Sequence, residues 1–558
     1  MPMSSSTRAA PLSKSHKDGR EVEWQLACTD LGAVRRWLND HGTIDGLTLE
    51  PRSTQQIFDT YLDTDDWRIH RAGFALRVRS GTGSGSGTTE ATLKSLHSAS
   101  TEVADRRELT ETLNSSDNEA IRESIGPVGM RVCAVSGART LLPLFELRTS
   151  RQRFAIRKSN EARQLGEIAL DETVISRPHG EPQASMLRVE VEALTESHEP
   201  LRSLVKTLRS HCALEAASDT KYSLGLKSVG LAPPAPEFAA TTVDTSMTIA
   251  EVATANLRRY LAAWHRHEPG ARLGDDPEEL HDLRVAGRRL DAVLRQFQSF
   301  LPPEYLRIRT TLKTVLSALG HARDLDVALG ELQNFRRKLP KSERPGVEPL
   351  KTHLTSERGR ARTQMLSVLD SIWVQKNLQE LASLVTAPGA ASEGPGAAFE
   401  ASSQELALQA APELIRRRFR KLRKRADLLG ADSSTEEYHE VRGQVKKLRY
   451  ALEAVAALYG KPAIEMVRAL RRWQENLGLQ QDAAVAMQRL NALARAQPKS
   501  IPAETLFLMG RLAESHLGAA MHARKSCATG YRKVRQKWKK LRAKFAKSAA
   551  NEAPAPAS

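Results

Sequence analysis

The sequence predicts an α+β chain in two parts: an antiparallel β domain closed into a barrel, then an all-helical domain with an internal duplication. Three observations support this prediction. Charged residues recur at every second position in several stretches of the first 225 residues, which is the period of a β-strand. A helical motif, His-x-x-Arg-x-x-x-basic-basic-Leu, begins at His281 and again, 158 residues later, at His439. The excess of positive charge lies entirely in the second part.

Charge and composition narrow the classes of partner and location. Residues 251–558 carry 53 Lys and Arg against 33 Asp and Glu, whereas residues 1–250 carry 30 against 33. Such a basic half suits polyanions: nucleic acid, an acidic membrane surface or polyphosphate. Four scattered cysteines without a Cys-x-x-Cys pair argue against a disulfide framework and fit a reducing compartment. Because no apolar run approaches the ~18 residues of a membrane span and residues 1–19 lack the apolar stretch of a signal peptide, we expect a cytoplasmic protein.

Composition also predicts the domain boundaries. The predicted segments are a disordered leader (1–19), the β domain (20–226), a Pro/Ala-rich linker (227–245), the helical domain (246–547) and a disordered tail (548–558). The half-repeats of the helical domain cover about 246–385 and 412–547, and a low-complexity connector, 386–411, joins them. A glycine-rich stretch, 81–87, is expected to form a hairpin loop.

The charged residues at period two are candidates for the barrel interior. They form the same-face pairs Glu21 and Glu23, Arg77 and Arg79, Thr92 and Lys94, Arg106 and Glu108, Arg151 and Arg153, Glu167 and Asp171, and Glu190 and Glu192. A polar outer face of a sheet would explain any single pair. Their number favours a closed barrel, in which inward residues alternate with outward ones on every strand. Its interior would offer acids to a divalent cation and bases to an anionic chain.

The order of these motifs resembles the CYTH family, the triphosphate tunnel metalloenzymes. The matching segments are Glu21-x-Glu23, Tyr61-Leu62-Asp63-Thr64, 73–79, Thr92-Leu93-Lys94, Arg106-x-Glu108, Arg151-x-Arg153, Glu167-x-x-x-Asp171, Glu190-x-Glu192 and 220–225. The resemblance implies an eight-stranded antiparallel tunnel whose basic residues grip a triphosphate while its acidic residues hold Mg²⁺ or Mn²⁺. Family members hydrolyse inorganic or thiamine triphosphate, or cyclise ATP.

The same resemblance assigns roles to residues. The implied substrate-binding residues are Arg77, Arg79, Lys94, Arg106, Arg151, Arg153 and Lys221. The implied metal ligands are Glu21, Glu23, Asp171, Glu190 and Glu192, and the implied catalytic residues are Glu21, Glu23, Lys94 and Arg106. The chain departs from the family at Gln25, where the pattern Glu-x-Glu-x-Lys has a lysine. A neutral amide cannot neutralise charge that develops on phosphate, so a tunnel that binds without turnover stays an alternative.

The repeated motif predicts a cationic stripe beside the core face of each of two helices. The stripes are His281, Arg284, Arg288 and Arg295, then His439, Arg442, Lys446 and Arg449. One such stripe is typical of a solvated helix surface, but two related by an internal repeat can line one groove. The offset recurs elsewhere, because Leu319-Gly320 with Asp324 returns as Leu477-Gly478 with Asp482.

This half resembles the CHAD family, through His281-x-x-Arg284-x-x-x-Arg288-Arg289-Leu290, 319–326 and 439–450. The resemblance implies a pair of antiparallel four-helix bundles associated with binding inorganic polyphosphate. The candidate binding residues are His281, Arg284, Arg288, Arg289, Arg416, Arg417, Arg420, His439, Arg442, Lys446, Lys447 and Arg449. The two histidines are interpreted as phosphate donors or buried hydrogen bonders rather than metal ligands, since neither has a histidine partner at i+4.

Two basic runs, 416–425 and 532–547, would also suit a DNA backbone or an anionic membrane. With aromatic residues at 5% and no recognition motif, non-specific polyanion binding is favoured over nucleic-acid recognition. The sequence therefore predicts an enzyme, a Mg²⁺- or Mn²⁺-dependent hydrolase of inorganic triphosphate or a related triphosphate, whose helical domain binds polyphosphate. The alternative is a non-catalytic polyphosphate-binding protein associated with polyphosphate granules.

Overall fold

The structure is a computed structural model that describes residues 17–82, 89–96, 104–115, 118–159, 163–195, 198–233, 242–386, 404–430, 432–496 and 501–551. Residues 1–16, 83–88, 234–241, 387–403 and 552–558 lie outside this description. They include most of the predicted leader, glycine-rich loop and connector, and parts of the linker and tail. The chain forms two compact units, Met1–Ala235 and Pro236–Ser558.

The first unit is built on one antiparallel sheet of eleven strands. The strands are β1 (Lys17–Ala27), β2 (Thr43–Ile44), β3 (Leu47–Pro51), β4 (Gln55–Asp63), β5 (Phe74–Thr82), β6 (Thr89–Ser95), β7 (Ala104–Leu113), β8 (Leu142–Lys158), β9 (Gln164–Ser176), β10 (Pro182–Ala193) and β11 (Glu215–Ala216). Their order is β2-β3-β8-β4-β5-β6-β7-β1-β10-β9, with β11 paired to β1. The predicted mixture of α and β structure is confirmed, but the prediction of eight strands is wrong as a count.

The long strand β8 brings the two ends of this order together. Its residues 146–151 pair with β4 along one edge and with β9 along the other. Eight strands, from β4 through β5, β6, β7, β1, β10 and β9 to β8, therefore follow one another in a circuit of hydrogen-bonded neighbours. Three short strands, β2, β3 and β11, extend the sheet beyond this circuit.

Six helices accompany the sheet in the described part of the first unit. They are α1 (Leu31–Asp40), α2 (Arg68–Arg71), α3 (Asn118–Glu123), α4 (Pro127–Ser136), α5 (Glu199–His211) and α6 (Lys221–Ser228). α1 and α5 are amphipathic, and they bury Val34, Leu38, Leu204 and Leu208 in an apolar cluster with outward residues of β8, β9 and β10. The alternation therefore places apolar side chains under the helices and leaves the charged phase on the other face of the strands.

The second unit is helical in the part of the chain that the structure describes. Its α-helices are α7 (Ile249–Leu273), α8 (Pro277–Gln296), α9 (Glu304–Lys338), α10 (Glu348–Asp370), α11 (Ile372–Thr386), α12 (Ala407–Ala426), α13 (Thr435–Tyr459), α14 (Lys461–Ala496) and α15 (Ala503–Asn551). The repeated motif lies on α8 and α13. α7 begins with a capping box at Thr248 and Glu251, and α13 begins with the same device at Ser434 and Glu437.

One apolar core runs through the helical unit and includes Trp264, Leu283 and Leu290 beside Val441 and Leu448. Several boundaries differ from the sequence prediction. β1 starts at Lys17, inside the predicted leader, α12 starts at Ala407, inside the predicted connector, and α15 continues to Asn551, into the predicted tail. The division of this unit into two four-helix bundles stays a prediction. Among the described helices, none combines the length and the apolar character that crossing a membrane requires.

Candidate functional site

The charged phase of the sheet faces a cavity of about 1950 Å³. Its lining mixes bases from β5, β6, β8 and α6 with carboxylates from β1, β7 and β10. The charged residues that line it include Glu23, Arg77, Arg79, Lys94, Glu108, Arg151, Glu190, Glu192 and Lys221. Five of the predicted substrate-binding residues and three of the predicted metal ligands are therefore brought into one cavity.

Arg77 and Arg79 share a carboxylate that the sequence prediction missed. Arg79 binds Asp59 with two hydrogen bonds, of 2.7 and 2.9 Å, and Arg77 lies 3.9 Å from the same carboxylate and 3.5 Å from Glu108. Asp59 is almost fully buried. Burial alone would raise the pKa of Asp59, but the two guanidinium groups lower it to about 2. This pairing fixes both arginines on β5 with their charge toward the cavity.

A second cluster joins three strands to the start of α6. Arg151 donates to Asp171 at 2.7 and 2.6 Å and to Glu190 at 2.7 Å. Lys221 lies 2.5 Å from Asp171 and 2.9 Å from Glu190. Burial would raise the pKa of Glu190, but Lys221 and Arg151 hold it below its usual range. Two bases and two acids therefore form one compact group, with Asp171 fully buried beneath it.

The segment 220–225 positions Lys221 through local structure. Thr220 caps α6, because its hydroxyl accepts from the Ser223 amide at 3.1 Å and the Ser223 hydroxyl accepts from the Thr220 amide at 3.0 Å. Tyr222 packs against Phe145 and Tyr61. Gly225 lies so close to Phe145 that a β-carbon would be 2.2 Å from its ring. The cap and this close approach together place the first residue of α6, Lys221, over Asp171.

Glu23 anchors a third group. Its Oε1 accepts a hydrogen bond from Lys94 Nζ at 2.9 Å and another from Gln25 Nε2 at 2.7 Å. Glu23 is 4% exposed, and it faces Glu192 directly across the β1–β10 pair. Gln25 therefore takes part in the network around Glu23 as a hydrogen-bond donor without adding charge.

The pair Glu23 and Glu192 is the donor set that best fits a divalent cation. Mg²⁺ is commonly held by one or two carboxylates together with substrate phosphates, and opposed carboxylates on neighbouring strands have β-carbons about 5 Å apart. The described residues contain no group of three or more His, Cys, Asp and Glu side chains that could hold a metal alone. Asp171 and Glu190 are each bound by both Arg151 and Lys221, whereas Glu23 and Glu192 lie opposite each other on neighbouring strands.

Three of the predicted residues lie apart from this cavity or beyond the description. Arg153 pairs with Glu167 at 3.5 Å. Glu21 and Arg106 face each other across the β1–β7 pair, but their side chains lie outside what the structure describes. Asp63, in the segment 61–64, accepts hydrogen bonds from three backbone amides, and burial raises its pKa to about 6. Its role is to hold the turn into α2.

In the helical unit, the structure brings together four of the predicted cations: Arg284 and Arg288 of α8 with Arg442 and Lys446 of α13. Burial and the charges of other members of this group lower the pKa values of Arg284, Arg442 and Lys446. The third helix of each repeat makes room for the motif arginine, because a side chain on Gly320 would lie 3.5 Å from Arg284 and one on Gly478 would lie 3.3 Å from Arg442. We call Arg284, Arg288, Arg442 and Lys446 the α8–α13 cation cluster.

Positive charge exceeds negative charge in the α8–α13 cation cluster, and its cations are not paired one by one with acids as Arg79 and Arg151 are. Asp482 lies 3.7 Å from Arg442 and forms an ion pair with it. The Nε of Arg442 is buried without a hydrogen-bond partner among the described residues. Burial, followed by repulsion from Arg288, Arg442 and Arg284, lowers the pKa of Lys446 to about 7. Such an arrangement is unfavourable by itself and would be relieved by an anion.

The remaining predicted cations of this unit are distributed differently. Arg289 and Arg449 both face Glu453, at 3.9 and 2.7 Å. Arg420 pairs with Glu413 at 2.6 Å, Arg416 lies over the Phe545 ring, and His439 contacts Gln481. Lys447 lies near Arg295, Arg418 and Lys421, and Arg417 lies near Arg418. His281 is half-buried on α8. Of the two predicted stripes, Arg284, Arg288, Arg442 and Lys446 form the cation cluster, whereas Arg449 pairs with Glu453 and Arg295 lies near Lys447.

Two residues that matter here were missed from sequence. Asp59 and Tyr61 lie two residues apart on β4 and point to the same buried face. This spacing was the signal in the sequence that could have identified Asp59. Arg188, two residues before Glu190 on β10, shares the phase of Glu190 and Glu192, and it is 4% exposed. For Arg188, the spacing of two residues from Glu190 was a signal readable from the sequence.

The fold and these two sites define a two-domain protein with a cavity of paired charges in its β domain and a cation cluster in its helical domain. Family models match both parts: the CYTH domain at residues 33–223 and the CHAD domain at residues 255–491. The chain therefore carries a CYTH domain followed by a CHAD domain. A CYTH domain indicates phosphoanhydride chemistry of the triphosphatase or cyclase type, and CHAD is a domain associated with polyphosphate binding.

Solved structures show similarity to each part. The CHAD domain from the plant Ricinus communis is 25% identical over 52% of this chain and 94% of that chain, with a TM-score of 0.43. PptA from Streptomyces chartreusis is 20% identical over 51% and 100%, with a TM-score of 0.38. HpAC1 from Hippeastrum, a putative adenylyl cyclase described as having a dominant triphosphatase activity, is 17% identical over 38% and 98%, with a TM-score of 0.30. No curated protein gives a significant match.

Proposed function

We propose that the β domain hydrolyses inorganic triphosphate, or a related triphosphate, with Mg²⁺ or Mn²⁺, and that the helical domain binds polyphosphate. The observation that carries the proposal is the shared cavity, which holds Arg77, Arg79, Lys94, Arg151 and Lys221 together with Glu23 and Glu192. The circuit of eight strands around it supports a tunnel. Five bases in one cavity match a substrate with several phosphoryl groups, because phosphoryl transfer depends mainly on positioning and neutralisation of charge.

The residues of the cavity would act in two sets. Arg77 and Arg79, held by Asp59, and Arg151 and Lys221, held by Asp171 and Glu190, would bind the phosphoryl oxygens and orient the chain of phosphates. Lys94, beside Glu23, would stabilise charge on the phosphoryl group under attack. Water then adds to the terminal phosphorus, and the anhydride P–O bond breaks to leave phosphate and pyrophosphate. A divalent cation held by Glu23 and Glu192 would supply neutralisation of phosphate charge when bound.

The alternative, a binding protein without turnover, keeps one observation in its favour: Gln25, which lines the cavity and donates to Glu23, is neutral. In that case both domains would hold polyphosphate and the protein would associate with polyphosphate granules. The two functions give different results in a single assay of phosphate release from tripolyphosphate.

Purified protein with Mg²⁺ or Mn²⁺ is expected to release phosphate from tripolyphosphate, and Glu23→Ala is expected to reduce that rate by about tenfold or more, since Glu23 is the proposed metal ligand. Glu50→Ala is the matched control, because Glu50 is a carboxylate of the same domain that pairs with Arg52 near the surface. Release should stop on chelation. Wild-type protein that releases no phosphate above the Glu23→Ala background would establish the binding alternative instead.

Binding of polyphosphate by the helical domain is expected to weaken as pH rises from about 6 to 8.5. Lys446, with a pKa of about 7, loses its charge over this range, whereas a bound anion favours the charged form and raises that pKa. The affinity should fall by up to about tenfold between these limits. Lys446→Arg, which stays charged, should flatten the profile when both proteins are titrated with long-chain polyphosphate. An equally steep profile in this variant would show that Lys446 is not the titrating group.

A further inference from the structure

The amide of Gln25 has a partner at each end. Its Nε2 donates to Glu23 Oε1 at 2.7 Å, and its Oε1 accepts from Arg188 Nη1 at 3.3 Å. Glu23 and Gln25 lie two residues apart on β1, and Arg188 lies on the neighbouring strand β10, opposite Ala27. An amide has a donor end and an acceptor end, so a guanidinium at the oxygen directs the NH₂ group to the carboxylate.

Arg188 is held firmly enough to perform this role. It is 4% exposed, and its second terminal nitrogen donates to the backbone carbonyl of Asp219, just before α6. Burial lowers the pKa of Arg188, while Glu190, Asp219, Glu23 and Asp171 act in the opposite direction. Gln25 and Glu23 line the cavity, whereas Arg188 is not among its lining residues. A buried guanidinium with a fixed backbone acceptor is a rigid support for a neighbouring amide.

We propose that Arg188 is a positioning residue of the β domain, which acts through Gln25 to hold Glu23 in its orientation. The effect of Arg188 on catalysis rests on the proposed function, whereas its effect on the orientation of Glu23 does not. Glu23 then has two donors on the same oxygen, Lys94 from β6 and Gln25 from β1. The orientation of the Glu23 carboxylate therefore depends on two donors rather than on Lys94 alone.

The same geometry explains why position 25 is neutral in this chain. A lysine at position 25, which is half-buried and lies opposite Glu190, would bring a second cation to within a few ångströms of the buried Arg188 guanidinium. Like charges there would repel each other with little screening by water. The departure from the Glu-x-Glu-x-Lys pattern is therefore coupled to Arg188, and restoring the lysine alone should harm the domain.

The first test compares the variants Arg188→Met, Arg188→Lys and Gln25→Met for tripolyphosphate hydrolysis. Arg188→Met and Gln25→Met should each lower kcat by about 10- to 100-fold, with little change in the KM for tripolyphosphate and a higher metal concentration for half-maximal rate. The double variant should lose no more than either single one, since the two residues act as a unit. Arg188→Lys keeps a charged donor and should recover most of the rate. Arg177→Met is the control, because Arg177 also donates to a backbone carbonyl, that of Val229.

The second test does not need activity. Gln25→Lys should lower the Tm of the β domain by about 4 °C or more, and adding Arg188→Met to Gln25→Lys should recover most of that loss. If the wild type hydrolyses nothing, the proposed function fails, yet this thermal cycle still tests the coupling of the two positions. Unchanged kcat and metal dependence in Arg188→Met, or a Gln25→Lys protein with raised Tm and raised kcat, would overturn the proposal.

Discussion

Replacement of Arg151 by methionine is expected to lower the free energy of unfolding of the β domain by about 3–5 kcal/mol. Arg151 is the shared partner of Asp171 and Glu190, whose side chains are 0% and 10% exposed. Without the guanidinium, two carboxylates would face each other with Lys221 as the remaining base in the cluster. Removing one partner of a buried pair leaves a charge that neither water nor protein compensates.

Urea unfolding of the full chain, followed through the transition of the β domain, measures this effect. Arg153→Met is a matched control, because Arg153 lies on the same strand and pairs with Glu167 at 3.5 Å but is 32% exposed; its loss should change stability by about 1 kcal/mol or less. Equal effects of the two substitutions would show that burial of the Arg151 cluster does not matter. Tripolyphosphate should stabilise the wild type more than Arg151→Met, since it would bind the same guanidinium.

The pH dependence of this cluster follows from Glu190. Because Lys221 and Arg151 hold the pKa of Glu190 below its ordinary value of 4.5, the contribution of Glu190 to stability is present above that pH and is lost as the pH falls through the lower folded pKa. The advantage in stability of the wild type over Arg151→Met should therefore shrink as the pH falls below about 4.5. A parallel loss of stability in both proteins between pH 5 and 3 would contradict the assignment of Arg151 as the stabilising cation.

Simultaneous replacement of the α8–α13 cation cluster by alanine (Arg284, Arg288, Arg442 and Lys446) is expected to weaken binding of long-chain polyphosphate by on the order of a hundredfold at about 0.15 M salt. The slope of log affinity against log salt concentration should become shallower by roughly one for each lost phosphate contact. The unfolding temperature is not expected to fall, because the four cations repel one another in the free protein.

A control with the same change of net charge is available on α12. Arg420, Arg423 and Arg425 pair with Glu413, Asp427 and Glu440, and Lys424 is exposed beside them. Their joint replacement by alanine should reduce affinity by less than about tenfold, since paired surface charges contribute little. If both quadruple variants lose affinity equally, total charge decides binding and the cluster is not a specific site. Equal competition by duplex DNA would point to a general polyanion surface.

The sequence indicated which strand positions share a face, although Arg153, predicted beside Arg151, does not line the cavity. A period of two on β1, β5, β6, β8 and β10 identified Glu23, Arg79, Lys94, Arg151 and Glu190 as one phase, and all five line the cavity. It could not predict which acid meets which base. Asp59 is twenty residues from Arg79, and Lys221 is fifty residues from Asp171. These partners are chosen by strand register and by the capped start of α6, which depend on the packing of the whole sheet.

For the repeated helix too, the sequence predicted the equivalent positions, but tertiary packing decided their partners. The constant offset of 158 residues related Arg284 to Arg442 and Gly320 to Gly478, and in both copies the arginine lies against the glycine of the next long helix. The predicted cationic stripe on α13 extended one residue too far, to Arg449. Arg449 has Glu453 one helical turn further along, a spacing of four that was readable from sequence, whereas the approach of Arg289 to the same Glu453 comes from packing of α8 near α13.

The sequence by itself determined the two families of the chain, the phase of each strand and the equivalence of the two motif helices, because these depend on local periodicity and on spacing along one chain. The tertiary structure alone decided where charge is compensated. It paired the cations of the β domain with Asp59, Asp171 and Glu190, connected Arg188 to Glu23 through Gln25, and left Lys446 among three arginines. The reason is physical: the strength of an ion pair depends on distance and burial, and both are set by elements that are far apart in sequence.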